Sequence, residues 1–392
     1  MSMKIGILVW QLDIKGGTQR QALELARFLQ RAGYDVIVYA YLYDREQCYS
    51  ELCAGLKIKY VKLNRDADKS DYPITCWEYL YKYFIFFKGE KHRALLKIID
   101  PDIEILNPHD YGTYVTAGLW KEKFKRPVIW MMNDLPLYKW NMHNIPKTIG
   151  FHIRPQYRGY IRRFDEIIVL DNLNKEGVRK NFRCEAKIIR SGLDIEKFSF
   201  FSREYKQDMK ILMSSVLFPH RKVEDALQAL RILTDRGHNV TIQHVGNLMR
   251  DTKYSRRILK LVDQLGLKER FHFNGAVPDE QIHSFLRNAE LYLFPNSPQT
   301  WGLAVFEAMA SGMPVVLTSG CGASEVLTDH ENALITPPDC PEALAKAIEE
   351  LIGDKELRSR IARNARRFVE KNISWNKYSA EMTGIFTRHL SK

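Results

Sequence analysis

The stretch Pro295-Asn-Ser-Pro-Gln299-Thr300-Trp-Gly302-Leu303-Ala304-Val305-Phe-Glu307-Ala-Met-Ala-Ser-Gly312-Met-Pro314 carries the densest chemical signal in the 392-residue chain. Its pattern is a strand ending at Pro295, a loop, and a helix opening near Gly302. The first amides of a helix have no partner within it, and the helix dipole is positive at that end. The N–H groups of Leu303, Ala304 and Val305 therefore suit a diphosphate, and Glu307, about a turn further in, can accept from ribose hydroxyls. Arg221 and Lys222 stand just ahead of a second helix, where cations oppose the dipole. Their presence there speaks for a bound anion, since a leaving diphosphate needs fixed positive charge. Gly16-Gly17-Thr18 lies between the first strand and the first helix and lets backbone amides approach an anion. The same pair is equally an ordinary tight turn, and the G-x-G-x-x-G spacing of a dinucleotide site is absent.

Other residues are better read as structural. Asp100-Pro-Asp102 has the look of a metal-binding Asp-x-Asp, but it precedes a strand at the amino end and reads as a helix stop; no catalytic metal is expected. The six cysteines (48, 53, 76, 184, 321 and 340) are too scattered for a disulfide scaffold or a zinc site and read as reduced thiols. His109 ends a strand, where a lone histidine most often makes only structural hydrogen bonds.

These residues need elements to hold them. Short β-branched runs alternate with amphipathic helices: strands over 4–10, 35–41, 103–107, 127–132, 166–170 and 187–189, then 210–215, 240–245, 270–274, 291–295, 314–318 and 333–336. Between the later ones, helices are expected over 224–236, 255–265, 280–288 and 303–311. That alternation implies parallel sheets covered on both faces, in an α/β fold. The polar, aromatic stretch 198–208 reads as a linker. The predicted organisation is a Rossmann-like N-terminal domain over 1–200, a second over 201–372, and a final helix over 373–392 returning to the first. Ligands of such sheets bind at the carboxyl ends of the strands, so the expected site is the cleft between domains.

Composition excludes whole classes. Gly and Pro total 37 residues, which removes collagen-like and low-complexity chains. The apolar run after Lys4 is too short for a leader, and no window approaches the roughly 18 apolar residues of a membrane span. Net charge is +12, with nine surplus positive charges in residues 1–200 and three in 201–392. Aromatic residues mix with cations over 77–99 and 145–163, a pattern suited to an anionic membrane surface or simply to helices with aromatic cores. No nucleic-acid module accompanies them. The expectation is a cytoplasmic protein, with an anionic membrane surface as a candidate docking partner of its N-terminal domain.

At this point the chain resembles the retaining glycosyltransferases of family 4, which have the two-domain GT-B fold. The resemblance runs the whole length, through the Gly-Gly turn, Asp102-Ile-Glu-Ile-Leu-Asn-Pro-His109, Ile188-Ile-Arg-Ser-Gly192-Leu-Asp194-Ile-Glu-Lys-Phe198, Phe218-Pro-His-Arg-Lys222, and Gly302 to Val316. The family pairs two glutamates seven residues apart in the last motif. Glu307 matches the second, the ribose ligand, while Gln299 stands where the first reads donor-sugar hydroxyls; Gln keeps an acceptor but loses the charge. Val216 stands where the family has an Arg on the diphosphate, leaving Arg221 and Lys222 as the cations. Family position places His109 against the donor sugar, gives Asn133-Asp134 a positioning role, and puts backbone near Val277-Pro278 against the base.

The resemblance implies transfer of a hexose from a UDP- or GDP-linked sugar to the hydroxyl of a glycan, lipid or small molecule. It implies no cofactor and a front-face mechanism in which the leaving phosphate oxygen takes the acceptor proton. His109, Arg221 and Lys222 would act on the reacting groups. Gly16, Gly17, Val277, Gln299, Thr300, Gly302, Leu303, Ala304, Val305 and Glu307 would hold the donor. Two alternatives stand beside it. A nucleotide-sugar epimerase would need flanking acids and bases, and Asp110 is the only carboxylate close to His109 in sequence. A decayed nucleotide-sugar-binding protein would account for Gln299 and Val216.

Overall fold

The computed structural model describes residues 3–63, 89–110, 112–133, 155–203, 208–248, 252–298 and 301–390. The chain divides into two units: Met1–Gly192 with Trp375–Lys392, and Leu193–Ser374.

The first unit runs β1 (Lys4–Leu12), α1 (Gly17–Arg31), β2 (Asp35–Tyr43), α2 (Ser50–Cys53), β3 (Lys57–Leu63), α3 (Glu90–Ile98), β4 (Ile105–Pro108), α4 (Tyr114–Phe124), β5 (Ile129–Met132), α5 (Pro155–Arg162), β6 (Glu166–Val169), α6 (Asn172–Phe182) and β7 (Lys187–Ile188). Its strands pair in parallel in the orders β3-β2-β1-β4 and β5-β6-β7. A parallel bridge between Leu106 and Val128 joins β4 to β5, so the spatial order runs 3-2-1-4-5-6-7. Ile5, Ile7, Leu8 and Val9 are all fully buried, as expected of a central strand covered on both faces. A Cβ on Gly6 would stand 3.0 Å from Leu106 Cδ1, so the close β1–β4 approach uses the missing side chain. Helix α1 buries Ala22, Leu25, Ala26 and Leu29 on one face, the spacing of an amphipathic helix.

The second unit runs β8 (Met209–Ser214), α7 (Val223–Asp235), β9 (Val240–Val245), α8 (Lys253–Gln264), β10 (Phe271–Gly275), α9 (Asp279–Asn288), β11 (Leu291–Phe294), α10 (Leu303–Ala310), β12 (Val315–Thr318), β13 (Leu334–Thr336), α11 (Pro341–Gly353) and α12 (Lys355–Asn372). Its sheet is wholly parallel, in the order β10-β9-β8-β11-β12-β13. The last helix, α13 (Trp375–Leu390), belongs to the first unit and packs on α1. Both units are therefore doubly wound α/β layers of the Rossmann kind.

Two features differ from the sequence reading. Strand β3 was not anticipated: it is a lysine-bearing edge strand, exposed or half-exposed throughout, and lacks the buried pattern that marks its neighbours. The boundary between units falls at Leu193, before the expected linker. Phe198 is buried and its carbonyl accepts from Arg366 Nη1 at 2.7 Å, while Phe201 N–H donates to the Ser311 carbonyl at 3.3 Å. Those contacts fasten the start of the supposed linker to the second unit; residues 204–207 of it lie outside the described residues. Among the described residues no helix is long and apolar enough to cross a membrane.

Candidate functional site

Strand order reverses between β1 and β4 in the first unit and between β8 and β11 in the second. At such a switch point the connections leave in opposite directions and open a crevice beyond the strand carboxyl ends. His109 and the Gly16-Gly17 turn lie at the first of these places, Arg221 and Gly302 at the second.

In the first unit, His109 follows β4 and is fully buried. Its N–H donates to the Leu8 carbonyl at 2.9 Å, and Asn133 Nδ2 donates to its own carbonyl at 2.9 Å. Asn133 thus positions His109; Asp134 lies outside the described residues. Asn107 Nδ2 donates to the Ile129 carbonyl at 2.5 Å, which turns Asn107 Oδ1 toward His109 Nε2 at 2.7 Å. Nε2 must then carry the proton, leaving Nδ1 a bare acceptor with no partner among the described residues. Burial pushes the imidazole down to about 3, so it is neutral at ordinary pH. Family position places His109 against the donor sugar; in the structure its side chain is wholly enclosed. Next to it, Asp110 Oδ2 accepts from Trp10 N–H at 2.6 Å, so this carboxylate holds the β1 end.

Gly16 is extended (φ −149°, ψ 163°) and precedes α1 without any side-chain cap. A Cβ on Gly17 would meet nothing within 4 Å. Neither glycine is required by its backbone conformation. Asp100 and Asp102 pair with Lys59 at 2.5 Å and Lys4 at 2.6 Å, the structural role expected of them.

In the second unit, Gly302 caps α10 at φ 77°, ψ 60°, with no side-chain cap. Here glycine is obligatory: a Cβ would stand 3.1 Å from Cys321 Sγ and 3.2 Å from Phe294 Cε1, at a φ that side chains resist. Val305 N–H donates to the Gly302 carbonyl at 3.1 Å. The expected trio of free amides is thus reduced to Leu303 and Ala304, because the first turn tightens. Glu307, half-buried, lies close enough for its charge to raise the Tyr292 hydroxyl, which burial already pushes up. That hydroxyl meets Ser214 Oγ at 2.7 Å.

Arg221 sits in the short turn Pro219–Arg221 after β8. Asn296, just beyond β11 and almost wholly buried, clamps it from both sides. With its amide turned to match its surroundings, Asn296 Oδ1 accepts from Arg221 Nη1 at 2.7 Å and its Nδ2 donates to the Arg221 carbonyl at 3.2 Å. Thr318 Oγ1 donates to the Asn296 carbonyl at 2.7 Å, and Ser297 N–H to the His220 carbonyl at 2.9 Å. The guanidinium is thereby fixed across the β8/β11 switch point. Burial works against its charge, with Tyr292 and Cys321 working for it. Burial, reinforced by Arg221, pushes His220 to about 3 and His244 to about 4, so neither competes for an anion's charge at neutral pH.

Lys222 is separate from this cluster. It adopts φ 50°, caps α7, and its Nζ is ion-paired with Asp339, which raises its pKa. The expected pair of cations therefore divides into one held at the switch point and one engaged on the flank. Val277, in the loop after the edge strand β10, is half-buried. Gln299 and Thr300 lie outside the described residues, as do residues 77–88 and 145–154 of the aromatic and basic stretches. Asn296 was missed from sequence; a single Asn in a Pro-flanked loop is informative only once Arg221 is seen beside it. Among the described residues no group of three or more His, Cys, Asp or Glu is placed to hold a metal ion.

Comparison with known proteins identifies the family. Residues 194–368 match the family model of glycosyl transferases group 1, and residues 15–197 that of glycosyltransferase family 4. Over 98% of both chains, the protein is 24% identical to an uncharacterized glycosyltransferase of Methanocaldococcus jannaschii. It is 23% identical to the phosphatidyl-myo-inositol mannosyltransferase of Mycolicibacterium smegmatis, over 98% of this chain and 93% of that one. Among solved structures, Anabaena HepE in complex with UDP and glucose superposes with a TM-score of 0.76 at 16% identity, over 98% of this chain and 100% of that one. Two matched halves and two Rossmann-like units make one assignment: the chain belongs to the group 1, family 4 glycosyltransferases and has their GT-B fold.

Proposed function

We propose that this glycosyltransferase moves a hexose, with retention of configuration, from a UDP- or GDP-linked sugar to an acceptor hydroxyl in glycan or glycolipid synthesis. The observation that carries the reading is the β8/β11 switch point, where Asn296 clamps Arg221 after β8 and the uncapped start of α10 follows β11. In this reading Arg221 and the amides of Leu303 and Ala304 take the diphosphate, Glu307 takes the ribose, and the loop at Val277 meets the base. No metal is assigned a role. As the sugar–phosphate bond breaks, negative charge grows on the leaving oxygen; fixed donors stabilise it without reorganising. That oxygen then accepts the acceptor's proton on the same face of the sugar. His109, enclosed and neutral, serves in this reading as a rigid wall behind the sugar and not as a general base. Two of the similar proteins, one solved in complex with UDP and glucose and one named a mannosyltransferase, agree with a hexose donor. The epimerase alternative is disfavoured, because Asp110, the carboxylate close to His109 in sequence, has one oxygen engaged by the Trp10 amide.

Thermal-shift titration with UDP, GDP and ADP tests the site. The expected result is a concentration-dependent rise in Tm with UDP or GDP that Glu307→Ala abolishes. Unchanged nucleotide affinity in that variant overturns the assignment. NMR of the transfer product reports the anomeric configuration, and inversion would refute the stereochemical part.

A further inference from the structure

Strand β8 ends in two adjacent serines at the switch point it shares with β11. Ser214 is its last residue and Ser215 the next; both are half-buried, as is Val216, which brings no polar side-chain atom. Their backbone is firmly held. Ser215 N–H donates to the Val245 carbonyl at 2.9 Å, and Leu217 N–H to the Asn247 carbonyl at 2.9 Å. The end of β9 also closes on them, since a Cβ on Gly246 would collide with the Ser215 carbonyl oxygen.

Behind each serine stands a buried ring. Tyr292 is fully buried, and its hydroxyl lies 2.7 Å from Ser214 Oγ and 3.5 Å from the Ser214 carbonyl oxygen. A phenol O–H shut away from water has to donate, and the shorter contact is the better hydrogen bond. Tyr292 therefore donates to Ser214 Oγ, and the Ser214 proton points elsewhere. His244 is fully buried too, with Nε2 3.3 Å from Ser215 Oγ and Nδ1 without a partner among the described residues. Burial keeps this imidazole neutral, so it holds one N–H. A buried N–H left unpaired is rarer than a bare acceptor, which puts the proton on Nε2, donating to Ser215 Oγ. Both serines thus accept from behind, leaving each hydroxyl hydrogen for an acceptor on the exposed side. The turn Pro219–Arg221 follows shortly, and the charge of Arg221 acts on both backing rings, that of Glu307 on Tyr292.

We propose that Ser214 and Ser215 donate hydrogen bonds to non-bridging oxygens of the donor's diphosphate, with Tyr292 and His244 as positioning residues behind them. The inference rests on the donor reading above and adds two neutral donors to the one clamped cation. Hydroxyls aimed in advance reorganise little when an anion arrives, so they act on the phosphates at low cost. They would favour a nucleoside diphosphate over its nucleoside while leaving the charge to Arg221.

Isothermal titration of the full chain with UDP, GDP, uridine and guanosine tests it. Ser214→Ala and Ser215→Ala are each expected to weaken the nucleotide that wild type binds by roughly 3- to 10-fold, with the matching nucleoside unaffected. Unchanged nucleoside binding also shows that the variants are folded. Tyr292→Phe is expected to weaken the nucleotide alone and to add nothing on top of Ser214→Ala, because its effect passes through the serine. The same holds for His244→Phe on top of Ser215→Ala. Wild-type nucleotide affinity in either serine variant, or an equal loss for the nucleoside, overturns the inference and leaves the donor reading standing. Full additivity in either double variant overturns the positioning role of the ring concerned. A wild-type chain that binds neither UDP nor GDP sinks the donor reading and this inference together.

Discussion

At the carboxyl end of β1 the chain passes into α1 through Gly16 in an extended conformation, whereas beyond β11 it passes into α10 through Gly302 at φ 77°. Each of these helix starts sits at a strand-order reversal, and each lacks a side-chain cap. In the first unit the polar groups turn inward: Asp110 holds a backbone amide, and His109 is enclosed and neutral. In the second a guanidinium is pinned beside the helix start by a buried amide side chain. One topology therefore supplies two different instruments, a rigid neutral wall and a charged cradle, and the difference lies in a few residues after each strand.

The glycines give the sharpest contrast. Gly302→Ala places a Cβ against Cys321 and Phe294 at a left-handed φ, so about 1–2 kcal/mol of backbone strain adds to about 1–3 kcal/mol of overpacking. The expected outcome is a clear drop in Tm together with loss of nucleotide binding. Gly17→Ala meets open space in the first turn of a helix and is expected to stay within about 0.5 kcal/mol of wild type. Equal losses in the two variants, read by calorimetry, would erase the distinction between the two turns.

The clamp is next. Arg221→Ala removes a charge-assisted contact to the proposed diphosphate, worth about 1.5–3 kcal/mol, and should weaken UDP or GDP roughly 10- to 100-fold. Asn296→Ala leaves the guanidinium in place but loosens it. It should weaken the diphosphate roughly 3- to 10-fold, about 1 kcal/mol, while uridine alone binds as before. Isothermal titration with nucleotide and nucleoside separates the two effects. If the variant weakens uridine equally, Asn296 shapes the pocket rather than the cation.

The parts legible in sequence were those written in repeating pattern. The central strands announce themselves because both faces are buried, and the α10 start because Gly302 and Glu307 keep a helical offset. What escaped had no local pattern. Strand β3 carries lysines because it is an edge. The Lys222–Asp339 pair joins residues 117 positions apart, so Lys222 looked like a ligand when its partner was invisible. Val305 looked available because the tightening of the first turn, which engages its amide, depends on Gly302's backbone angles. Phe198 opened a stretch that reads as a linker, yet Arg366 from a distant helix fastens it.

Acid tests the neutral wall. His109 is lowered to about 3 in the folded chain against 6.5 when exposed, so below pH 6.5 the unfolded chain takes up a proton that the native one refuses. Stability is complete above that pH and falls as pH drops; from pH 7 to 5 this one histidine should cost about 2 kcal/mol. His92, His220 and His244 are displaced the same way by burial, so the wild-type acid limb is steeper still. His109→Gln should flatten that limb by about one proton in the Tm-against-pH profile. An unchanged slope would mean that His109 already meets solvent and is no wall.

The smallest effect sharpens the division between the two cations. Lys222 holds φ 50°, a conformation that costs a side chain about 1 kcal/mol and glycine almost nothing. Its ion pair with Asp339, whose carboxylate is 61% exposed, returns about 0–1 kcal/mol. Lys222→Gly should therefore leave Tm nearly unchanged, because relief of the backbone offsets loss of the pair, and nucleotide affinity should stay within about threefold, or about 0.7 kcal/mol. If instead this variant weakens nucleotide as much as Arg221→Ala does, Lys222 leaves Asp339 when the anion arrives. The second unit would then meet its ligand with two cations, one fixed in advance and one recruited.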